Sequence, residues 1–158
     1  MYFGVLDMTY DTLLELAEKE NLVVKEADLH LYDGLIRNNK IAIRQTLPAR
    51  EKKQVLAEEI GHAQTSAGDI IDYRNPNNRK QEMGARLAGY ELLIGIDGII
   101  KAYEAGCKNL YEMAELLGVT EEYLQDALER YHGKYGLYVS YKDYCVIFEP
   151  SLAVIKML

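Results

Sequence analysis

Hydrophobic residues recur at helical spacing in the first part of the chain and then change to a shorter period. Between residues 9 and 20 the apolar positions lie one helical turn apart, and Thr9 is a suitable N-cap, which predicts a helix. The shorter period that follows predicts strands at 22–24, 35–37 and 41–44. Arg37–Lys40 is a predicted hairpin turn, because asparagine tolerates a positive φ.

The helical period then returns for most of the remaining chain. Pro48 suits the first turn of a helix, and an apolar stripe continues this helix over 49–66. A segment rich in Asp, Asn and Pro at 67–78 predicts a break. One long helix or two consecutive helices are predicted over 79–106, with any division near Gly95–Gly98.

The C-terminal part combines a helical hairpin with a pair of strands. Two helices are predicted within 109–136, separated by Gly118–Thr120, with Thr120 as the N-cap of the second. Residues 136–150 alternate like two strands that turn at Lys142–Asp143. We therefore predict a single α+β domain over residues 1–158, with a short N-terminal sheet, a helix pair, a helical hairpin and a C-terminal β-hairpin.

Composition and charge argue against nucleic acid as the main partner. The 158 residues are 49% hydrophobic, which suits one domain with a core, and the net charge of −7 disfavours phosphate contacts. The hairpin at 109–131 has the residue pattern of a helix-turn-helix, but its second helix carries four acidic residues and one arginine, Arg130. We expect this hairpin to pack on the core without touching DNA.

The cysteines and the N-terminus predict a cytoplasmic protein. Cys107 and Cys145 are far apart and do not resemble a disulfide framework. The first twenty residues lack a basic segment and an apolar run long enough for a signal peptide or a membrane span. No membrane association is expected.

The stretch LAEEIGH, residues 56–62, has the spacing of a helical metal site. Residues four apart share a helix face, so Glu58 and His62 can bind one ion together. Glu59 lies about 100° round the helix from Glu58, where it can act as a base on water without being a ligand. Gly61 lets another element approach His62.

The third ligand is predicted to be Glu82, which lies 20 residues after His62 beyond the polar break. Small residues follow it on the same helix, at Gly84, Ala85 and Gly89, and they would allow a close helix contact. An ion pair is the alternative interpretation of this cluster. Arg86, one turn beyond Glu82, could pair with Glu82 or Glu58 and hold these residues together without any chemistry.

These motifs resemble the ImmA/IrrE family of metallo-endopeptidases over nearly the whole chain. The resemblance is carried by YDTLLELAEKENLVV (10–24), DGLIRNNKIAI (33–43), EKKQVLAEEIGHAQTSAGDI (51–70), KQEMGARLAGYELLI (80–94) and GVTEEYLQDALERYHGKYG (118–136). It implies a small zincin-like fold, a general base at Glu59, and metal ligands at His62 and Glu82. It also implies a protein substrate, a helix-turn-helix repressor of a phage or mobile element.

The first ligand position departs from the family pattern, since Glu58 stands where the family motif His-Glu-x-x-His has histidine. Zinc accepts carboxylate oxygen, so Zn2+ is the expected ion, but the harder ligand set also favours Mn2+ or another divalent ion. Two functions follow as expectations. The first is a metal-dependent endopeptidase; the second is a non-catalytic protein-binding module that keeps the peptidase fold with a degenerate metal site.

Overall fold

The computed structural model describes residues 8–65 and 76–158, and for residues 76–78 only the backbone. Most of the predicted break at 67–78 therefore lies outside the described residues. The helices and strands run in the order α1 (Tyr10–Lys19), β1 (Val23–Ala27), β2 (Gly34–Arg37), β3 (Lys40–Arg44), α2 (Ala49–Thr65), α3 (Pro76–Leu93), α4 (Gly95–Glu104), α5 (Leu110–Leu117), α6 (Glu121–Tyr135), β4 (Tyr138–Tyr141), β5 (Tyr144–Ile147) and β6 (Ala153–Lys156).

The N-terminal sheet has the strand order β1-β3-β2. β3 pairs in parallel with β1 and antiparallel with β2, and Asn38 in the β2–β3 turn has a φ of 55°. The predicted hairpin is confirmed, and β1 extends further toward the C-terminus than predicted. β2 is an edge strand of this sheet, and it lies against α2.

The C-terminal sheet is antiparallel with the order β4-β5-β6. Its first two strands turn at Lys142, which has a φ of 52°, so the predicted hairpin is confirmed. The third strand was not predicted, and the expected two-stranded hairpin is a three-stranded sheet. β6 is four residues long and mostly exposed, and so its sequence shows no clear hydrophobic period.

Local capping groups account for several helix boundaries. The Thr9 hydroxyl accepts a hydrogen bond from the Thr12 amide (3.1 Å), and the Thr120 hydroxyl accepts one from the Tyr123 amide (3.2 Å), as predicted. The region 79–106 forms two helices. They divide at Gly95, whose φ of 62° favours glycine and whose amide donates to the buried hydroxyl of Tyr131 (3.1 Å).

Helix α2 occupies the centre of the molecule. Its residues Leu56, Ala57 and Ile60 are fully buried and share the core with side chains from β3, α1 and α4. Its N-terminal half holds the α5–α6 turn, because Lys53 donates to the Leu117 carbonyl (3.2 Å) and Gln54 accepts from the Thr120 amide (2.7 Å). The mixture of helices with two small sheets confirms the predicted α+β class.

The helical hairpin of α5 and α6 packs on the core, as predicted. Leu117, Val119, Leu124 and Ala127 are buried, whereas the acidic residues of α6 are exposed. These acidic residues are Glu121, Glu122, Asp126 and Glu129. Across the described ranges, no helix combines the length and apolar character that a membrane span requires.

Candidate metal centre

Helices α2 and α3 are in close contact because glycines face the opposing backbone. A β-carbon at Gly61 would overlap the carbonyl oxygen of Ala85 and lie 3.2 Å from the Ala88 side chain. A β-carbon at Gly89 would lie 3.2 Å from the amide nitrogen of Glu58. Gly84 is not part of this contact, since nothing lies within 4 Å of the position of its β-carbon. The contact brings the C-terminal half of α2 next to the middle of α3.

This contact brings together the three predicted metal ligands. Donor atoms of Glu58, His62 and Glu82 all lie within 4.8 Å of one another. The imidazole Nε2 of His62 is 3.3 Å from the Glu82 carboxylate, and the two side chains are 11% and 15% exposed. Ligands of tetrahedral zinc, bound at about 2.0–2.1 Å, are separated by about 3.3 Å. The His62–Glu82 pair already has that separation.

Arg86 lies at the same cluster and forms the ion pairs considered as the alternative. Its Nε is 3.5 Å from a carboxylate oxygen of Glu58 and 3.5 Å from one of Glu82. The Arg86 side chain is 48% exposed, so it lies at the outer side of the cluster. The geometry thus contains both the donor group and a protein cation that neutralises part of its charge.

Glu59 is the one buried charged residue among the described residues, with 8% exposure. It is not part of the three-residue donor group. Burial, followed by the charges of Glu58 and Glu82, raises the pKa of Glu59 to about 8. The Glu59 carboxylate is therefore near enough to Glu58 and Glu82 to be affected by their charges, but it is not one of the three donor residues.

The position of Glu59 depends on β2, which the sequence reasoning did not connect to the site. A β-carbon at Gly34, the first residue of β2, would lie 2.9 Å from the Glu59 carboxylate. Glycine at the start of a strand is a known signal of close approach by another group. The first residue of the edge strand therefore contacts the Glu59 side chain.

Burial also affects the two donor-group residues of α2, Glu58 and His62. It raises the pKa of Glu58, an effect that Arg86 opposes and Glu82 increases. It lowers the pKa of His62, although the Glu82 carboxylate acts in the opposite direction. A lowered pKa keeps the imidazole neutral near pH 7, the form that binds metals. Together with Glu59, the donor group places three carboxylates in a poorly solvated region, with Arg86 as the neighbouring cation.

Three other polar residues of these helices have partners outside the donor group. Glu91 pairs with Lys134 (3.6 Å), and the Thr65 hydroxyl donates to the Gly61 carbonyl (2.7 Å). His132 is 45% exposed and pairs with Glu149. Within 8–65 and 76–158, the group Glu58, His62 and Glu82 is the one combination of three such side chains close enough for a metal ion.

Comparison with protein families defines the class. The fold is that of a small α+β domain, and Glu58, His62 and Glu82 form a group that could hold a metal ion. The family described as IrrE N-terminal-like domain, peptidase M78, matches residues 13–129, which include every residue of the candidate site, and the chain belongs to this family. The resemblance to ImmA/IrrE proteins is confirmed, and the fold is consistent with a zincin-like domain. A search of curated proteins gave no significant match.

Proposed function

We propose that this protein is a metal-dependent endopeptidase. The observation that carries the proposal is the convergence of Glu58, His62 and Glu82 donor atoms within 4.8 Å, beside the buried carboxylate of Glu59. Membership of a metallopeptidase family supports the same conclusion. When bound, the ion supplies Lewis-acid activation of water and of the scissile carbonyl.

The residues present fit a divalent ion. Two carboxylates and a neutral imidazole are a donor set that zinc accepts, and the His62–Glu82 separation of 3.3 Å needs little change. Glu58 would have to move closer to the other two donors and exchange its contact with Arg86 for the ion. We propose Zn2+ as the ion, with Mn2+ as the main competitor because two of the three donors are hard oxygens.

Glu59 performs the proton transfers in this proposal. It accepts a proton from the attacking water and then donates it to the leaving amine. A base must be ionised to act, and neutralisation of Glu58 and Glu82 by a cation would lower the raised pKa of Glu59. The contact of Glu59 with Gly34 holds its carboxylate on the side of β2.

The edge strand β2 is the proposed support for the substrate. In the described part of the chain β2 pairs with β3 alone, so its other edge can add an extended peptide by main-chain hydrogen bonds. Gly34 lies at one end of this edge and contacts Glu59. A peptide on β2 would therefore pass close to the candidate base.

The proposed substrate is a helix-turn-helix repressor of a phage or mobile element, cut in the cytoplasm. This part of the proposal rests on the family resemblance alone. Its test is incubation of the purified protein with such a repressor, followed by mass spectrometry of the fragments. A defined cut that chelator prevents supports the assignment, and an intact repressor argues for another protein substrate.

A non-catalytic protein-binding module is the second candidate function. The ion pairs of Arg86 with Glu58 and Glu82 favour it, because they can hold the cluster together in a protein that never binds metal. The two candidates differ in metal content, which is a direct measurement.

His62→Ala is expected to abolish metal binding. His62 supplies the sole nitrogen of the donor group and lies closest to Glu82, so its removal leaves two carboxylates that Arg86 can neutralise. We expect elemental analysis of protein purified without chelators to find one equivalent of metal in the wild type and none in this variant.

The matched control is His132→Ala, which removes an exposed histidine of α6. It should keep the wild-type metal content. Wild-type protein that contains no metal after dialysis against zinc would reject the enzyme and support the binding module.

A further inference from the structure

The loop between β1 and β2, residues 28–33, exposes two adjacent apolar side chains. Leu31 is 85% exposed and Tyr32 is 53% exposed. Leu35, which follows on β2, is 41% exposed. Single exposed apolar residues are common on protein surfaces, whereas three large ones within five positions indicate contact with another molecule. Residues 31 and 32 are called the apolar tip below.

Arg44 of β3 anchors this loop on both sides of the apolar tip. Its guanidinium donates to the His30 carbonyl (3.2 Å) and pairs with the Asp33 carboxylate (3.3 Å). The Arg44 amide also donates to the Asp33 carbonyl (2.8 Å), which extends the pairing of β2 with β3 by one residue beyond Gly34. The two apolar side chains are therefore exposed on an anchored backbone.

The charged side chains of the loop have partners within the protein. Asp28 pairs with His30 (3.6 Å), and Asp33 pairs with Arg44. The tip itself carries no charged side chain. What the tip offers to a second molecule is therefore apolar surface, and covering it with an apolar side chain of that molecule removes both from water.

The tip lies a short distance from the candidate base. A β-carbon at Gly34 would lie 2.9 Å from the Glu59 carboxylate. Tyr32 precedes Gly34 by two residues, and an extended chain spans at most about 3.6 Å per residue, so their α-carbons are no more than about 7 Å apart. A peptide on the edge of β2 advances by about 3.4 Å per residue. A peptide residue two or three positions from the one opposite Gly34 would therefore reach the tip.

We propose that Leu31 and Tyr32 form a hydrophobic subsite for the substrate. The subsite selects extended protein segments that carry a large apolar side chain two or three residues from the scissile bond. This inference rests on the proposed function, in which the peptide lies on β2 and is cut beside Glu59. The apolar side chain covers the tip, while main-chain hydrogen bonds to β2 hold the peptide whatever its sequence.

The cleavage profile of a peptide library tests the inference. Zinc-loaded protein is incubated with peptides from a proteome digest, and mass spectrometry identifies the cut sites. We expect the wild-type sites to be enriched in large apolar residues at one position, two or three residues from the cut. The double variant Leu31→Ser, Tyr32→Ser should still cut but lose this enrichment. A wild type without the enrichment, or a double variant that keeps it, would overturn the inference.

Kinetics on one preferred peptide separate binding from catalysis. For the double variant we expect KM to rise about 10-fold at unchanged kcat, because a contact away from the reacting atoms stabilises the bound substrate and the transition state equally. Replacing the apolar residue of the peptide by serine should raise the wild-type KM by a similar factor and the KM of the double variant hardly at all. Additive effects of the two changes would mean that the tip and this residue do not touch, which overturns the inference.

Tyr111→Ser is the matched control. Tyr111 is a tyrosine of α5 with 60% exposure, and its replacement should change neither KM nor the cleavage profile. The control and the double variant should keep the wild-type zinc content and Tm, because the altered side chains are exposed and lie outside the donor group. A higher KM of the double variant that is accompanied by a lower Tm would assign the tip a structural role and overturn the inference.

Passing the same library over immobilised wild type and double variant measures peptide retention without catalysis. Selective retention of apolar peptides by the wild type supports the subsite even where no peptide is cut, and equal retention by the two proteins overturns it. A wild type that retains peptides but cuts none would instead reject the endopeptidase function and support the binding module. The two results distinguish failure of the inference from failure of the proposed function.

Discussion

Glu59→Gln is expected to reduce repressor cleavage by about 100- to 10,000-fold, the range that general acid–base groups contribute. Glutamine keeps the shape of the side chain and its contact with β2 but cannot accept a proton. The bound metal should be unchanged, because Glu59 is not part of the donor group. The measurement pairs cleavage rates with elemental analysis of the same samples.

The same substitution is expected to stabilise the metal-free protein. Glu59 is 8% exposed, and burial, followed by the charges of Glu58 and Glu82, raises its pKa to about 8. Near neutral pH the unfolded chain releases this proton and the folded chain resists doing so, which favours unfolding. Glutamine removes that cost, and the Tm after chelator treatment should rise.

Glu129→Gln, which changes an exposed carboxylate of α6, is the control and should leave Tm and cleavage unaltered. Retained cleavage by Glu59→Gln would remove Glu59 from its role as the base. A lower metal-free Tm in that variant would mean that the carboxylate has a stabilising partner.

Gly61→Ala is expected to destabilise the protein by about 3 kcal/mol, at the upper end of the usual cost of overpacking. The added methyl group would overlap the carbonyl oxygen of Ala85, and backbone atoms of a packed helix cannot move aside as a side chain can. Relief requires α2 and α3 to separate, which displaces Glu82 from His62. The free energy of unfolding measured in urea and the zinc affinity should therefore both fall.

Gly84→Ala tests the same substitution on α3 where space is available. No atom lies near the position of its β-carbon, so alanine should gain about 0.5–1 kcal/mol from its higher helix propensity. Zinc affinity should be preserved. Wild-type stability in Gly61→Ala would show that the two helices do not meet at this glycine.

The parts of the site that the sequence could predict are those set by local periodicity. Glu58 and His62 share a face because of the helix repeat, and the hydrophobic stripe of α2 was enough to predict that helix. The sequence could predict Glu82 as the third ligand because glycine and alanine on α3 indicated a close helix contact. The sequence could not decide whether these carboxylates bind a metal or pair with Arg86. The structure shows the Arg86 ion pairs together with the donor group.

What the sequence could not predict depends on contacts between distant elements. No periodic pattern in the sequence indicates three features of the structure: the parallel pairing of β1 with β3, the strand β6, and the contact of Gly34 with Glu59.

A crystal structure of zinc-loaded protein, with anomalous data at the zinc edge, tests the central claim most directly. We predict one anomalous peak about 2.0–2.2 Å from Glu58, His62 and Glu82 donor atoms, with Arg86 displaced from at least one carboxylate. A map without a peak at this position, in which Arg86 still contacts both Glu58 and Glu82, would contradict the metal centre and the peptidase function built on it.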